Sequence, residues 1–143
     1  MGKYLGIDYG LKRIGIAVSD ENNKYSFSRD YILNDDKTLN KIISLIKDES
    51  VSIVVLGYPI NFKSEKTHST NHVEIFRKKL EEEINKYLLN TTVEYFDERF
   101  TSNLAQYHLG TSGLKKEKRK EKGLLDSISA QIILQDYIDS KSK

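Results

Sequence analysis

The chain has 143 residues, 38% of them hydrophobic and 31% charged, a balance that fits one globular domain with one core better than two domains or a disordered chain. It has no cysteine, which excludes disulfides, thiolate metal sites and cysteine nucleophiles, so any bound metal must sit on oxygen or imidazole. The net charge of +2 is too small to declare a nucleic-acid partner by itself, and with no long apolar run and no apolar leader the sequence predicts a cytosolic protein without a membrane span.

The first elements alternate. Leu5 and Ile7 fall on one side of a strand over residues 4–8, and Ile14, Ile16 and Val18 on one side of a strand over residues 13–19, with residues 9–12 turning between them as a hairpin. Gly6, Gly15 and Ala17 leave the other face almost bare, so a helix can pack closely over it. Residues 20–24 are a polar turn, and Tyr25, Phe27 and Tyr31 predict a third strand with a half-exposed face.

The period then changes. Leu39, Ile42, Ile43 and Ile46 recur at helical spacing behind Asn34, Asp35 and Asp36, which are candidate N-caps. Residues 53–56 form a continuous apolar run stopped by Gly57 and Pro59, the pattern of a central strand buried on both faces. Val73, Phe76, Leu80, Ile84 and Tyr87 predict an amphipathic helix over residues 73–88, followed by a fifth strand over 92–96 and a last helix over 124–138. Three strands, then helix, strand, helix, strand and helix, predict an α/β fold with a mixed five-stranded sheet. Between Gly113 and Gly123 the run KKEKRKEK holds six basic and two acidic residues, and it reads as a mobile insertion between structured parts.

Three positions carry acids worth explaining. Asp8 ends the first strand just before Tyr9 and Gly10 turn the chain, where a carboxylate can face a ligand while the sheet holds its backbone; the alternative is a turn aspartate bonded to its own backbone. Asp97 and Glu98 end the fifth strand in FDERFTS. Alternation sends them to opposite faces, so one can point at a site while the other pairs with Arg99, caps the next segment or sits in a surface ion pair. Asp126 falls on the same helical face as Ala130, Ile133 and Tyr137, and a charge that prolongs a buried stripe must be paired, bound to a cation or placed as a cap at the helix's positive end. Acids from a first strand, a late strand and a final helix can converge on one edge of a sheet. Oxygen-only ligation suits magnesium or manganese, and two such ions about 4 Å apart hydrolyse phosphodiesters. His68 and His72 read as an exposed polar pair without a third zinc ligand, and His108 as packing or surface.

GIDYGLKRIGIAVSD, VVLGYPIN, DERFTS and LLDSISAQIILQDYI occur in order over nearly the whole chain. They resemble the four successive signatures of the YqgF family of Holliday-junction-resolvase-like and ribosomal-RNA-processing nucleases. The resemblance implies a ribonuclease-H-like fold with helices on both faces of the sheet. It also implies a nuclease that acts on structured RNA, in trimming the 5′ end of precursor 16S ribosomal RNA, or on branched DNA in recombination and repair. Matched position by position, it implies Asp8, Glu98 and Asp126 as catalytic, metal-binding acids with Mg2+ or Mn2+, Lys12 and Arg13 as phosphate contacts, and Arg99 and Thr101 as neighbours that position the site or the substrate.

Lys116, Lys118 and Arg119 of the basic run are candidate contacts to nucleic-acid backbone, by their charge and by their place just ahead of Asp126. The glycine-poor segment FKSEKTHST after Asn61, together with Ser102 and Ser129, departs from the family's common pattern and bears on substrate contacts more than on hydrolysis. Two readings from other classes stay open: one half of an actin-like or sugar-kinase phosphotransfer fold, which needs two such halves, and a non-catalytic nucleic-acid-binding module. The expected state is a monomer or a homodimer, since a resolvase that cuts two strands symmetrically calls for a two-fold pair.

Overall fold

The structure, a computed structural model, describes residues 2–59, 68–97 and 118–141, and of residues 68, 69 and 118–126 the backbone alone. In chain order the elements are β1 (Lys3–Asp8), β2 (Arg13–Ser19), β3 (Ser26–Leu33), α1 (Thr38–Glu49), β4 (Val51–Tyr58), α2 (His68–Lys86), β5 (Thr92–Asp97) and α3 (Lys118–Lys141). The strands form one sheet in the order β3-β2-β1-β4-β5. β1 pairs antiparallel with β2, and β2 with β3, while β1, β4 and β5 run parallel. This is the mixed α/β architecture that the sequence predicts.

Period-two alternation divides the sheet into two faces. Leu5, Ile7, Ile14, Ile16, Val18, Val54, Leu56 and Val93 join Ile42, Ile43 and Ile46 of α1 and Val73, Phe76, Leu80 and Ile84 of α2 in one core cluster. Ala17 and Val55 face the other way and join Ala130, Ile133, Leu134, Tyr137 and Ile138 of α3. The unbroken apolar run of β4 thus supplies both cores, Val54 and Leu56 to one and Val55 to the other. α3 reaches β1 at Gly6, where an added Cβ would come within 2.8 Å of the Leu134 Cβ and 3.0 Å of the Ala130 carbonyl oxygen. The bare face read from Gly6 and Ala17 is the one that the last helix covers, at a separation that leaves no room for a side chain on residue 6.

Several elements differ from the sequence expectation, each for a local reason. The N-cap of α1 is Lys37, with no side-chain cap bond. Asn34 instead donates from Nδ2 to the Gly10 carbonyl at 2.8 Å, and Asp35 accepts the Lys37 N–H at 2.9 Å in a turn ahead of the helix. α2 begins at His68 and ends at Lys86. Tyr87 therefore falls outside it, 41% exposed, with the Lys47 ammonium 4.2 Å from its ring centroid rather than core around it. α3 begins at Lys118, so residues 118–122 of the basic run are helical and not an insertion. Lys, Arg and Glu are strong helix formers, and their propensity carries the helix through Gly123, which costs about 1 kcal/mol.

The start of β1 and the middle of β3 are tied to the end of α1 by charge. Glu49 accepts from Lys3 Nζ at 2.9 Å and from Arg29 at 3.2 Å, and these cations, Lys3 foremost, hold its carboxyl below its ordinary value against the effect of burial. Among the described residues no helix is long and apolar enough to cross a membrane.

Candidate functional site

Because β1, β4 and β5 are parallel, their C-terminal ends share one edge of the sheet, and ligand sites in α/β folds form at such edges. Asp8 is the last residue of β1, half-buried, and pairs with Gly15 of β2. It has the strand parity of Tyr4 and Gly6, which face α3: the Tyr4 ring meets Tyr137 edge-on at 5.7 Å, and Gly6 lies under Leu134 and Ala130. Asp8 thus belongs to the α3 face of the sheet.

α3 runs opposite in direction to β1, with Tyr137 over Tyr4 and Ala130 over Gly6. From the Ala130 contact, one helical turn carries the chain about 6 Å to the backbone of Asp126. Two strand residues carry β1 about 6.6 Å from Gly6 to Asp8. Both steps lead to the same edge, so the fold brings the backbone of Asp126 to the face and the edge where Asp8 stands. The Asp126 side chain lies outside the described residues.

Arg13 opens β2 and alternates with Gly15 and Ala17, so it shares the α3 face, and it is half-buried one hairpin turn from Asp8. Lys12 is exposed within that turn. Gly10 makes the turn tight, since a Cβ there would lie 2.3 Å from the Arg13 carbonyl oxygen. Asn34 holds it: besides the Nδ2 bond to Gly10, its backbone N–H donates to the Lys12 carbonyl at 2.9 Å. Sequence reading missed this role and placed Asn34 at a helix cap. The signal was in the pairing, because Leu33 opposite Arg13 puts the next residue of β3 against the turn.

On β5, Val93 and Tyr95 pack with the α1 and α2 core, whereas Phe96 packs with the α3 core. Asp97 has the parity of Tyr95 and therefore lies on the face away from Asp8, paired in register with Tyr58. Glu98, Arg99, Thr101, Ser102, His108, Lys116 and the segment after Pro59 with Asn61 lie outside the described residues. Lys118 and Arg119 belong by their backbone to α3. His72 is exposed on α2, in keeping with its reading as a surface residue, and the departure at Ser129 is a buried one. Among the described residues no three His, Cys, Asp or Glu side chains converge on one point; of the three acids that the resemblance implies, the side chain of Asp8 is the one described.

A family model described as "RuvX: Holliday junction resolvase" matches residues 2–140. The chain belongs to this family. RuvX is the YqgF family whose four signatures the sequence resembles. A protein of Sulfurihydrogenibium sp. (strain YO3AOP1) named "Putative pre-16S rRNA nuclease" is 39% identical over 142 residues, which cover 99% of this chain and 93% of that protein. A protein of the same name from Bacteroides fragilis (strain YCH46) is 39% identical over 141 residues, covering 99% of each chain.

Among solved structures, the RuvX chain shares its fold with T. thermophilus RuvC in complex with a Holliday junction substrate, at a TM-score of 0.59 and 12% identity over 99% of this chain and 96% of that one. The Fowlpox virus resolvase in complex with Holliday junction DNA matches at a TM-score of 0.58 and 13% identity over 99% of both chains. The ribonuclease-H-like fold expected of a RuvX sequence is therefore the fold observed, with helices on both faces of the sheet.

Proposed function

We propose that this chain is one divalent-metal-dependent nuclease domain that hydrolyses phosphodiester bonds in the 5′-end processing of precursor 16S ribosomal RNA. The observation that carries the reading is the delivery of Asp8 and of the backbone of Asp126 to one edge and one face of the sheet. Family membership and the shared name of the most similar relatives support the same chemistry.

The donor set fits a hard cation: Asp8 offers carboxylate oxygen, the half-buried strand end keeps it within reach of solvent, and the acids are the proposed ligands in a chain without cysteine. In this reading Asp8, Glu98 and Asp126 hold Mg2+ or Mn2+. The bound ions supply a hydrolytic water and stabilise the leaving oxygen. Of the two neighbours at the end of β5, Glu98 is retained as the ligand because the parity of Asp97 turns it to the opposite face. Arg13 and Lys12 take phosphate, and Asn34 fixes the turn that presents them. Arg99 and Thr101 position the site or the substrate, and Lys116, Lys118 and Arg119 hold nucleic-acid backbone ahead of it.

A second reading, cleavage of branched DNA, is favoured by the family's own description and would call for a homodimer. The deciding experiment incubates purified protein with a precursor 16S leader RNA and with a four-way DNA junction, each in magnesium, manganese or chelator. Metal-dependent cleavage of the RNA alone is expected. Cleavage of the junction alone would assign the second reading, and binding of either without cleavage would leave a nucleic-acid-binding module.

A further inference from the structure

α3 is held to the sheet along two lines. One is apolar and close, with Ala130 and Leu134 over Gly6. The other is polar and runs along β3, the outer strand of the described sheet. Ser127, Gln131 and Gln135 stand four residues apart, on one face of the helix. The Ser127 hydroxyl donates to the Arg29 carbonyl at 2.9 Å, and Gln131 Nε2 donates to the Ser26 carbonyl at 3.1 Å. Gln135 uses both ends of its amide: Oε1 accepts the Ser26 N–H at 2.8 Å, and Nε2 donates to the Lys24 carbonyl at 3.0 Å. Three of these bonds reach the backbone of β3, and the fourth reaches the Lys24 carbonyl in the turn ahead of it.

Apolar contacts are non-directional and tolerate small shifts, whereas hydrogen bonds weaken steeply with distance and angle. Sliding α3 by one residue moves it about 1.5 Å and turns it through about 100°, which would break all four bonds together. The polar line therefore fixes both the translation and the rotation of the helix. Its last member, Ser127, is the neighbour of Asp126. We propose that Ser127, Gln131 and Gln135 are positioning residues that lock α3 to the edge strand and so set where the Asp126 carboxylate stands relative to Asp8 for metal binding. This rests on the reading that Asp8 and Asp126 share a metal.

The test titrates Mn2+ into metal-free protein by calorimetry, beside urea unfolding and amide exchange of the same samples. Gln131→Met and Gln135→Met keep the length of the side chain and lose its hydrogen bonds; Ser127→Ala loses its hydroxyl. Each folded variant is expected to unfold cooperatively with the far-UV spectrum of the parent, while its Mn2+ dissociation constant rises by about tenfold, the lower end of what loss of supporting contacts around metal ligands produces. The Ser26 amide should exchange faster in Gln135→Met. Asp126→Asn is the reference and is expected to weaken Mn2+ binding by itself. If it does, and the folded variants bind Mn2+ like the parent, positioning is overturned while the metal reading stands. If Asp126→Asn leaves Mn2+ affinity unchanged, the metal reading fails and the proposal falls with it. Should one of the three substitutions prevent folding, the other two decide the matter.

Discussion

Gly6 of β1 and Leu134 of α3 meet with no space between them for a methyl group: a Cβ at residue 6 would lie 2.8 Å from the Leu134 Cβ. The Ala130 carbonyl oxygen at 3.0 Å is helix backbone, so a change of rotamer at Leu134 cannot relieve the contact. Gly6→Ala must push α3 away from β1, and overpacking of this kind destabilises by about 1–3 kcal/mol. The same displacement moves Asp126 away from Asp8, so nuclease activity should fall further than the folded fraction does. Urea midpoints and cleavage rates on one preparation measure both effects; a midpoint equal to that of the parent would contradict so close an approach.

If Asp8 and Asp126 hold the same ions, then Asp8→Asn and Asp126→Asn should each lower turnover by about 10²-fold or more, because the ions supply several kcal/mol of transition-state stabilisation. The double variant should be little worse than either single one, as is general for residues that act as a unit. Both substitutions keep the shape of the side chain, so the unfolding midpoint should move little. Near-parental cleavage by Asp8→Asn in magnesium would remove the residue from the site.

The strands, the burial of β4 on both faces and the close approach of a helix over the bare face were legible in the sequence because they follow from local alternation and from the missing side chains at Gly6 and Gly15. That the core divides into two clusters, one on each face of the sheet, and that the covering helix is the last one, came only with the structure. The role of Asn34 was not legible. Its partners, Gly10 and Lys12, come beside it through strand pairing, and a local reading of Asn-Asp-Asp could see only a helix cap. Charge misled at residues 118–122, where a basic run suggested a loop although Lys, Arg and Glu are good helix formers. Of the acids, alternation from the cores settles the face of Asp97, which the sequence alone left open, since the end of a strand gives no absolute sign to its parity.

If Glu98 is the ligand and Asp97 a structural partner, their substitutions should differ in effect. Glu98→Gln should abolish metal-dependent cleavage with a modest change in stability. Asp97→Asn, altered on the face that carries α1 and α2, should cleave at near-parental rates and lower the unfolding midpoint. The reverse pattern, with Asp97→Asn inactive and Glu98→Gln active, would show that β5 bends past Phe96 and turns Asp97 towards the site.

The Glu49 cluster predicts how stability responds to acid. Lys3 chiefly, and Arg29 after it, depress the Glu49 carboxyl below its ordinary value of 4.5 in the folded chain. A depressed value in the folded state gives stability that is fully present above the unfolded value and is lost as pH falls through the lowered one. Glu49→Gln should therefore be less stable than the parent at neutral pH, and the two should converge as pH falls below 4.5. Urea unfolding of both proteins across that range reads the convergence directly. Salt should shrink the neutral-pH difference in part, because the Arg29 side of the cluster is exposed. A constant difference at all pH values would mean that Glu49 contributes through packing and not through charge.

Lys118 and Arg119 lie in α3 ahead of Asp126, in a run that the sequence reads as a candidate contact to nucleic-acid backbone. Lys118 lies eight residues ahead of Asp126, about 12 Å along the helix axis, so backbone phosphate held by Lys118 and Arg119 would sit within a few nucleotides of the proposed metal edge. Replacing Lys118 and Arg119 by alanine should weaken binding of leader RNA across unrelated sequences. The slope of log affinity against log salt should flatten by about 0.7 for each single-strand phosphate no longer neutralised, up to roughly 1.4 for the pair. Cleavage at saturating RNA should fall far less than with Asp8→Asn, because the pair contributes binding and not chemistry. Adding Lys116→Ala extends the series. Affinity and salt slope both unchanged in the double variant would assign these charges to solvation alone.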